Sequence, residues 1–211
     1  MSVPLIAVVD YKAGNLHSVQ KALEKFGGRP FVTTDPARIR RADALVMPGQ
    51  GACDSAMRNI RGHDLEQPIK EFIASGKPYL GICLGLQLLL ESSDEGDEPC
   101  LGVLEGNVRK LPSGQKTPHM GWNQVHFKKE DPMFNGVPEG SHFYFVHSCY
   151  ADPIDKAVVG GTTTYGVEFC SVAIWDNVVA VQFHPEKSGN VGLKVYGNFV
   201  SRVRELTRFG D

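Results

Sequence analysis

The chain has 211 residues, of which 42% are hydrophobic and 22% are charged, and its formal net charge is −2. This is the composition of a globular protein, and the length fits one large domain or two small ones. The balanced charge argues against nucleic-acid binding, which usually requires a basic patch. No apolar run approaches the roughly 20 residues of a membrane span, and the short apolar run near the start has no basic segment before it, so we interpret it as a strand and not as a signal peptide.

Five cysteines occur, at irregular spacings and without a CxxC pair: Cys53, Cys83, Cys100, Cys149 and Cys170. An odd number without paired spacing disfavours both a disulfide framework and a zinc site. Free cysteines are typical of a reducing compartment, so we expect a cytoplasmic protein.

Strands and helices alternate over roughly the first ninety residues. Continuous apolar runs predict buried strands over residues 5–9, 31–33, 44–47 and 79–82. Helices are predicted after Gly14-Asn15, over about 65–75, and over 84–90. Such alternation indicates a parallel sheet with right-handed crossovers.

The second half has a different pattern, with short strands between turn residues. Strands are predicted over residues 103–111, 124–127, 143–150, 157–163, 167–175 and 178–183, and a helix over 191–208. The acidic stretch 94–98 is interpreted as a solvated loop. No repeat or linker is apparent, so residues 1–211 are expected to form a single α/β domain: an open, mainly parallel central sheet with flanking helices and additional antiparallel strands in the C-terminal half.

One motif, Gly81-Ile82-Cys83-Leu84-Gly85, lies between an apolar strand and an apolar helix. This is the context of a nucleophile elbow, with Cys83 as the nucleophile, and the flanking glycines permit a tight turn. The helix N-terminus is expected to favour the thiolate form. Taken alone, the motif also fits a buried structural cysteine beside packing glycines.

A second motif, His184-Pro185-Glu186, follows the strand predicted over 178–183. Pro185 favours extended backbone, in which His184 and Glu186 face the same side. Glu186 could then fix the His184 tautomer and leave the other ring nitrogen for a nucleophile. An incidental acid beside a histidine at a strand end is the alternative.

A third motif, Pro48-Gly49-Gln50-Gly51, ends the third strand. Its glycines allow backbone N–H groups to approach a ligand, so we expect the Gly51 and Leu84 N–H groups to form an oxyanion hole. An ordinary glycine-rich turn remains the alternative. All three motifs lie at the carboxyl ends of predicted parallel strands, where they can converge on one crevice.

The chain resembles the class I (triad) glutamine amidotransferases over essentially its whole length. The resemblance rests on Pro48 to Gly51, on Gly-Ile-Cys-Leu-Gly-Leu-Gln at 81–87, and on Gln-Phe-His-Pro-Glu at 182–186. Within that family it is similar to the histidine-biosynthesis branch, the glutaminase subunits of imidazole glycerol phosphate synthase. The stretches that carry this narrower similarity are residues 10–16, 118–123, 143–148 and 184–188, and His-Met-Gly-Trp-Asn at 119–123 discriminates best.

The resemblance implies a Cys83–His184–Glu186 triad that hydrolyses L-glutamine and needs no metal or organic cofactor. By position, Gln87, Glu95 and Ser148 would hold the glutamine. The implied partner is a cyclase subunit with a (βα)₈ barrel, in a heterodimer that channels ammonia into imidazole glycerol phosphate and an aminoimidazole carboxamide ribotide.

Three residues would face this cyclase by the same resemblance: Asn15, Trp122 and Asn123. The sequence also departs from this branch at two positions: Gln50 replaces a small or apolar residue, and Cys149 replaces a tyrosine.

Two other kinds of protein remain as alternatives. One is an enzyme on the same scaffold, such as a glutaminase for vitamin B6 or nucleotide synthesis or a γ-glutamyl hydrolase. The other is a non-catalytic α/β regulatory module.

Overall fold

The computed structural model describes residues 3–209, in which helices cover both faces of a large sheet. The helices are α1 (Leu16–Lys25), α2 (Pro36–Arg41), α3 (Cys53–Gly62), α4 (Glu66–Ala74), α5 (Leu84–Gln87) and α6 (Gly189–Phe209). The strands are β1 (Leu5–Val9), β2 (Arg29–Thr33), β3 (Ala44–Gly49), β4 (Tyr79–Cys83), β5 (Ser92–Ser93), β6 (Gly106–Lys110), β7 (His119–Gln124), β8 (His126–Phe127), β9 (His142–His147), β10 (Cys149–Pro153), β11 (Val159–Thr164), β12 (Glu168–Trp175) and β13 (Val178–Val181).

The central sheet has the order β2-β1-β3-β4-β13-β12-β10-β6-β5, and β11 and β8 extend it beyond β12. Pairing is parallel from β2 through β13 and antiparallel from β13 through β6. The predicted fold class, a parallel centre with flanking helices and antiparallel strands from the second half, is confirmed. Strands β7 and β9 pair with each other in a separate two-stranded sheet.

The core has two layers because alternate residues of a strand point to opposite faces of the sheet. In β1, Ile6 and Val8 pack in the layer of α1 and α6, whereas Ala7 and Val9 pack in the layer that α2, α3 and α4 contribute to. All four side chains are fully buried. A strand buried on both faces must be apolar at every position, which is why β1, β3 and β4 lack polar alternation.

Two helices, α2 and α3, are absent from the sequence prediction, although their signals are present. Asp35 accepts a hydrogen bond from Ala37 N–H, and Pro36 opens the helix, so α2 has both an N-cap and a favoured first residue. In α3, the buried residues are Cys53, Ala56, Met57 and Ile60, at helical spacing.

Several predicted boundaries are also wrong. The helix predicted over 84–90 ends at Gln87, and the strand predicted over 103–111 begins only at Gly106. The strand predicted over 143–150 is two strands divided at Ser148, and the one predicted over 124–127 is two strands divided at Val125. The irregular segments that follow these elements also bury apolar side chains, so apolar runs in the sequence do not show where a helix or strand ends.

Candidate functional site

Cys83 is the last residue of β4 and directly precedes α5, with φ +54° and ψ −102°. A non-glycine residue at positive φ costs of order 1–3 kcal/mol, and such strain is common at functional turns. Close backbone contacts explain the flanking glycines. A Cβ on Gly85 would lie 1.9 Å from the Met47 carbonyl oxygen, and one on Gly81 would lie 2.7 Å from the Gly85 oxygen. The local geometry is therefore that of a nucleophile elbow.

The three sequence motifs meet because their strands are neighbours. Strand β4 lies between β3 and β13, both parallel to it, and Gly49 at the end of β3 is paired with Cys83. Strand β13 ends at Val181, so the backbone delivers Gln182 and His184 to the same edge. Carboxyl ends of adjacent parallel strands form one crevice in an open sheet.

His184 and Glu186 are joined as a buried pair. His184 Nδ1 and Glu186 Oε1 are 2.8 Å apart, and both side chains are at most 3% exposed. Tyr196 of α6 donates a hydrogen bond to the other carboxylate oxygen at 3.3 Å. Because Glu186 accepts at Nδ1, the second ring nitrogen, Nε2, is the one available to a nucleophile. Nε2 is buried and has no hydrogen-bond partner within the described residues.

Electrostatics favour a charged His184. Burial lowers the pKa of His184, but the charge of Cys83 and the hydrogen bond and charge of Glu186 outweigh burial and raise the pKa to about 10. At neutral pH this arrangement favours the imidazolium form of His184.

A cavity of about 350 Å³ opens above Cys83. It brings together five of the predicted site residues, Gly51, Cys83, Gln87, Glu95 and Ser148. Its other lining residues are Gln50, Ala52, Pro118, Val146, His147 and Cys149. A larger hollow of about 600 Å³, around residues 127–139, contains none of the predicted site residues.

Gln87 is 4% exposed, and both hydrogens of its amide are committed inside the protein. Nε2 donates to the Cys149 carbonyl oxygen at 2.8 Å and to Gln182 Oε1 at 3.1 Å. The amide oxygen of Gln87 is therefore the group that it can offer to a ligand. Gln87 is therefore a buried residue, although a position on the helix after the elbow could also have been exposed to solvent.

The acidic stretch is exposed at Asp94, Glu95 and Asp97, as a solvated loop should be, but it is also anchored to α3 by hydrogen bonds. Arg61 of α3 donates to Glu98 Oε2 at 2.6 Å and to the Pro99 carbonyl at 2.7 Å. Asp54 accepts from Glu98 N–H at 3.2 Å. These bonds fix the loop against both ends of α3, and Glu95 lies in the cavity wall. Composition alone did not predict this, because the partners are 37 to 44 residues away in sequence.

Of the two expected oxyanion donors, Gly51 follows the end of β3 by two residues and Leu84 directly follows Cys83. Gly51 has φ +103°, lines the cavity and has open space where a Cβ would be. Leu84 is buried and is the first residue of α5, so its N–H has no intrahelical acceptor.

The three residues expected at a partner interface differ in their environments. Asn15 is exposed at the N-cap of α1, where its side chain accepts from Ser18 N–H. Trp122 is 56% exposed on β7, two residues from Met120 at 62%. Asn123 is half-buried, and its amide nitrogen is within 3.2 Å of His119 Nε2 and donates to the Thr164 carbonyl oxygen at 3.0 Å.

Sequence reasoning missed a buried histidine pair beside the cavity. His119 Nδ1 and His147 Nε2 are 2.9 Å apart, and His147 Nδ1 donates to the Cys149 carbonyl at 2.8 Å. Burial lowers the pKa of His119 to about 4 and that of His147 to about 3. The signal for this pair is that His119 and His147 lie opposite each other on paired strands. It could not be used because the pairing of β7 with β9 was not predicted.

All five cysteines are free and buried. Within residues 3–209, no group of three or more His, Cys, Asp or Glu side chains could hold a metal ion. No helix in that part of the chain is long and apolar enough to cross a membrane.

The fold and the site together define a glutamine amidotransferase of class I, and the chain belongs to that family: the family model "Glutamine amidotransferase class-I" matches residues 7–202. The chain is similar to "Imidazole glycerol phosphate synthase subunit HisH" of Nostoc punctiforme, with 53% identity over 96% of this chain and 98% of the relative. The protein of the same description from Dehalococcoides mccartyi strain CBDB1 is 47% identical over 92% of this chain and 96% of the relative.

Solved structures share the fold at lower sequence identity. A putative GMP synthase protein from Thermoplasma acidophilum has a TM-score of 0.75 and 19% identity, over 100% of this chain and 98% of its own. PurLQS from Thermotoga maritima has a TM-score of 0.75 and 20% identity, over 96% of this chain and 100% of the matched chain. Identities this low establish the fold alone.

Proposed function

We propose that the chain is the glutaminase subunit of an imidazole glycerol phosphate synthase, and that Cys83, His184 and Glu186 are its catalytic triad. The observation that carries the proposal is the position of Cys83, at a strained elbow in the floor of a cavity, beside the buried His184–Glu186 pair. The subunit hydrolyses L-glutamine to glutamate and ammonia, and the ammonia passes to a cyclase subunit. The similarity to HisH proteins over nearly the whole chain supports the histidine-biosynthesis assignment.

The cavity wall supports a defined orientation of glutamine. Both amide hydrogens of Gln87 are used internally, so Gln87 offers an acceptor oxygen, and Glu95 offers a carboxylate. Two acceptors suit the α-ammonium group of the substrate, whereas the segment at Ser148 faces its carboxylate end. The carboxamide then lies towards Cys83.

In the first half of the reaction, the Cys83 thiolate attacks the carboxamide carbon. The oxyanion is stabilised by the N–H groups of Gly51 and Leu84, and each such donor contributes about 10²–10³ in rate. The His184 imidazolium gives its proton to the departing nitrogen, which leaves as ammonia, and a glutamyl thioester remains. A pKa of about 10 keeps His184 protonated for this step.

The second half of the reaction needs a base, and formation of the thioester favours the neutral form of His184 that can act as one. Once the sulfur is acylated, its negative charge is gone, and that charge is the largest influence that raises the pKa of His184. The neutral imidazole can then accept a proton from water, which attacks the thioester and releases glutamate and the Cys83 thiol. Glu186 keeps the ring orientation through both steps.

The partner we propose is a cyclase with a (βα)₈ barrel, in a heterodimer, and Asn15, Trp122 and Asn123 would face it. The exposed Trp122 and Met120 on β7 support such a contact, because aromatic residues and methionine are enriched at protein interfaces. Ammonia is mostly protonated in water near pH 7, so direct transfer keeps it nucleophilic.

Residues 1–211 are proposed to form one domain, and the five free cysteines support a reducing, cytoplasmic location.

The test is labelling by a diazo-ketone analogue of glutamine, followed by peptide mapping. We expect modification of Cys83 alone, with Cys149 as the internal control because it lines the same cavity. In the complex, Cys83→Ala should abolish glutamine-dependent synthesis and retain ammonia-dependent synthesis, whereas Cys149→Ser should retain both. Label on another cysteine would exclude the proposed nucleophile, and no synthesis with any cyclase would exclude the pathway assignment.

A further inference from the structure

We propose that Gln182 stabilises the Cys83 thiolate and ties it to the glutamine-binding residue Gln87. This inference rests on the proposed role of Cys83 as nucleophile. Gln182 is fully buried, and its Nε2 lies 3.5 Å from Cys83 Sγ, within hydrogen-bonding distance for sulfur. Gln182 and His184 are two residues apart after β13, so both side chains reach the sulfur from the same strand end.

The orientation of the Gln182 amide follows from its neighbours. The Cys149 carbonyl oxygen can only accept, so the Gln87 atom 2.8 Å from it must be the amide nitrogen. That same nitrogen lies 3.1 Å from the Gln182 side chain, which must therefore present its oxygen there. The Gln182 nitrogen is consequently directed at the sulfur, and a flipped amide would set two donors against each other.

The network behind Gln87 is fixed in the same way. The Cys149 carbonyl also accepts from His147 Nδ1, so His147 Nε2 must accept from His119 Nδ1. His119 Nε2 then accepts from the amide nitrogen of Asn123. Each donor has one possible direction, and the chain of bonds runs from β7 to the Cys149 carbonyl, which holds the Gln87–Gln182 pair in place.

The thiolate needs this donor because α5 is short. The sequence predicts a helix over 84–90, whose dipole would favour a thiolate, but α5 has only four residues and so few aligned peptides. A thiolate accepts an N–H bond more strongly than a thiol does, so a fixed donor in a buried site favours the charged form. The other titratable groups around Cys83 are His184, Tyr11, His147, Glu95 and Cys149, and a substitution at Gln182 leaves all of them in place.

The test is the pH dependence of Cys83 alkylation by iodoacetamide in the full chain, followed by peptide mass spectrometry. Gln182→Met keeps the length of the side chain and removes the donor. We expect the midpoint of the profile to rise by about one pH unit, with a roughly tenfold slower reaction below it, and an unchanged plateau at high pH. The matched control is Ser171→Ala, since Ser171 is fully buried in the adjacent strand β12 and its hydroxyl has no partner in the described residues.

An unchanged midpoint in Gln182→Met, or an equal loss of reactivity at every pH, would overturn the proposal. If Gln182→Met does not fold, Gln87→Met provides the same test, because it removes the side chain that orients the Gln182 amide. In this variant the midpoint of the alkylation profile should rise by a smaller amount. An unchanged midpoint would overturn the proposal. Iodoacetamide does not depend on glutamine hydrolysis. A shifted midpoint in a protein that hydrolyses no glutamine, even with a cyclase and its nucleotide ligand present, would therefore retain the role of Gln182 and reject the proposed function.

Discussion

At the residue scale, local motifs carried the prediction of the reactive groups. Cys83, His184 and Glu186 each lie within a five-residue pattern whose geometry follows from glycine, proline and strand alternation. Gln182 lies in the same pattern but was not singled out, because its partners Gln87 and Cys83 are 95 and 99 residues away in sequence. Local sequence patterns therefore indicate which side chains react, but not which distant side chains hold them.

Replacement of Glu186 should cost less activity than replacement of His184. Glu186→Gln keeps a hydrogen-bond acceptor at His184 Nδ1 but removes the charge that helps to raise the pKa of His184. His184→Ala removes the proton donor and acceptor of both reaction steps, so its loss in kcat should be at least roughly tenfold larger. Steady-state glutamine hydrolysis by the complex measures both, and Glu205→Gln, an exposed acid on α6, is the neutral control. Equal losses would contradict the separate roles.

At the element scale, the strongly apolar strands of the parallel centre were predictable, and the elements of the second half were less so. Strands β7 and β9 illustrate the difficulty: β7 reads His-Met-Gly-Trp-Asn-Gln, with a glycine at φ +137° and exposed Met120 and Trp122. Its pairing depends on β9, whose paired residues lie 18 to 28 positions further along the chain, and not on its own composition. Helix α2, by contrast, had a readable N-cap at Asp35, and α3 had readable helical periodicity.

Replacement by alanine should change the stability of the protein differently at a glycine in the elbow and at a glycine elsewhere. Gly85→Ala should destabilise the protein by about 3 kcal/mol, because its Cβ would press on the Met47 backbone carbonyl and force β3 and α5 apart. Gly62→Ala at the end of α3 meets no atom within 4 Å and should be neutral or stabilising by up to about 1 kcal/mol. Urea unfolding measures both. A Gly85→Ala protein as stable as wild type would mean that the elbow is not closely packed.

The β7–β9 pair predicts a loss of stability in acid. The folded-state pKa values of His119 and His147, about 4 and about 3, lie below the usual histidine value of 6.5, so the unfolded chain takes up protons first as the pH falls. Stability should therefore be intact above about pH 6.5 and should fall by about 2 kcal/mol per histidine at pH 5. Urea unfolding of wild type and of the double variant His119→Gln/His147→Gln should give the smaller loss in the variant. His142→Gln, at the exposed end of the same ladder, should keep the wild-type loss.

At the scale of the whole molecule, the cavity, the elbow and the exposed strand β7 are linked through one set of hydrogen bonds.

The cavity wall contains Gln50, Gly51 and Ala52, and α3 begins at the next residue, Cys53. Gly51 has φ +103° and open space where a Cβ would lie, and a glycine can adopt either sign of φ at little conformational cost. The loop can therefore hold its N–H towards the oxyanion position or away from it. A resting state with this donor turned away would be slower by about 10²–10³.

We therefore expect the isolated chain to be a poor glutaminase that the proposed cyclase, with its nucleotide ligand bound, activates by about 10²–10³ in kcat. Activation requires that the partner bind one loop state more tightly than the other. Glutamine hydrolysis is measured for the chain alone, with cyclase, and with cyclase plus nucleotide. Trp122→Ala, at 56% exposure on β7, should reduce the activation, whereas Ile154→Ala, at 67% exposure beside β10, should not. A chain that is fully active alone, and unresponsive to both additions, would exclude the partner assignment and leave a free-standing class I glutaminase.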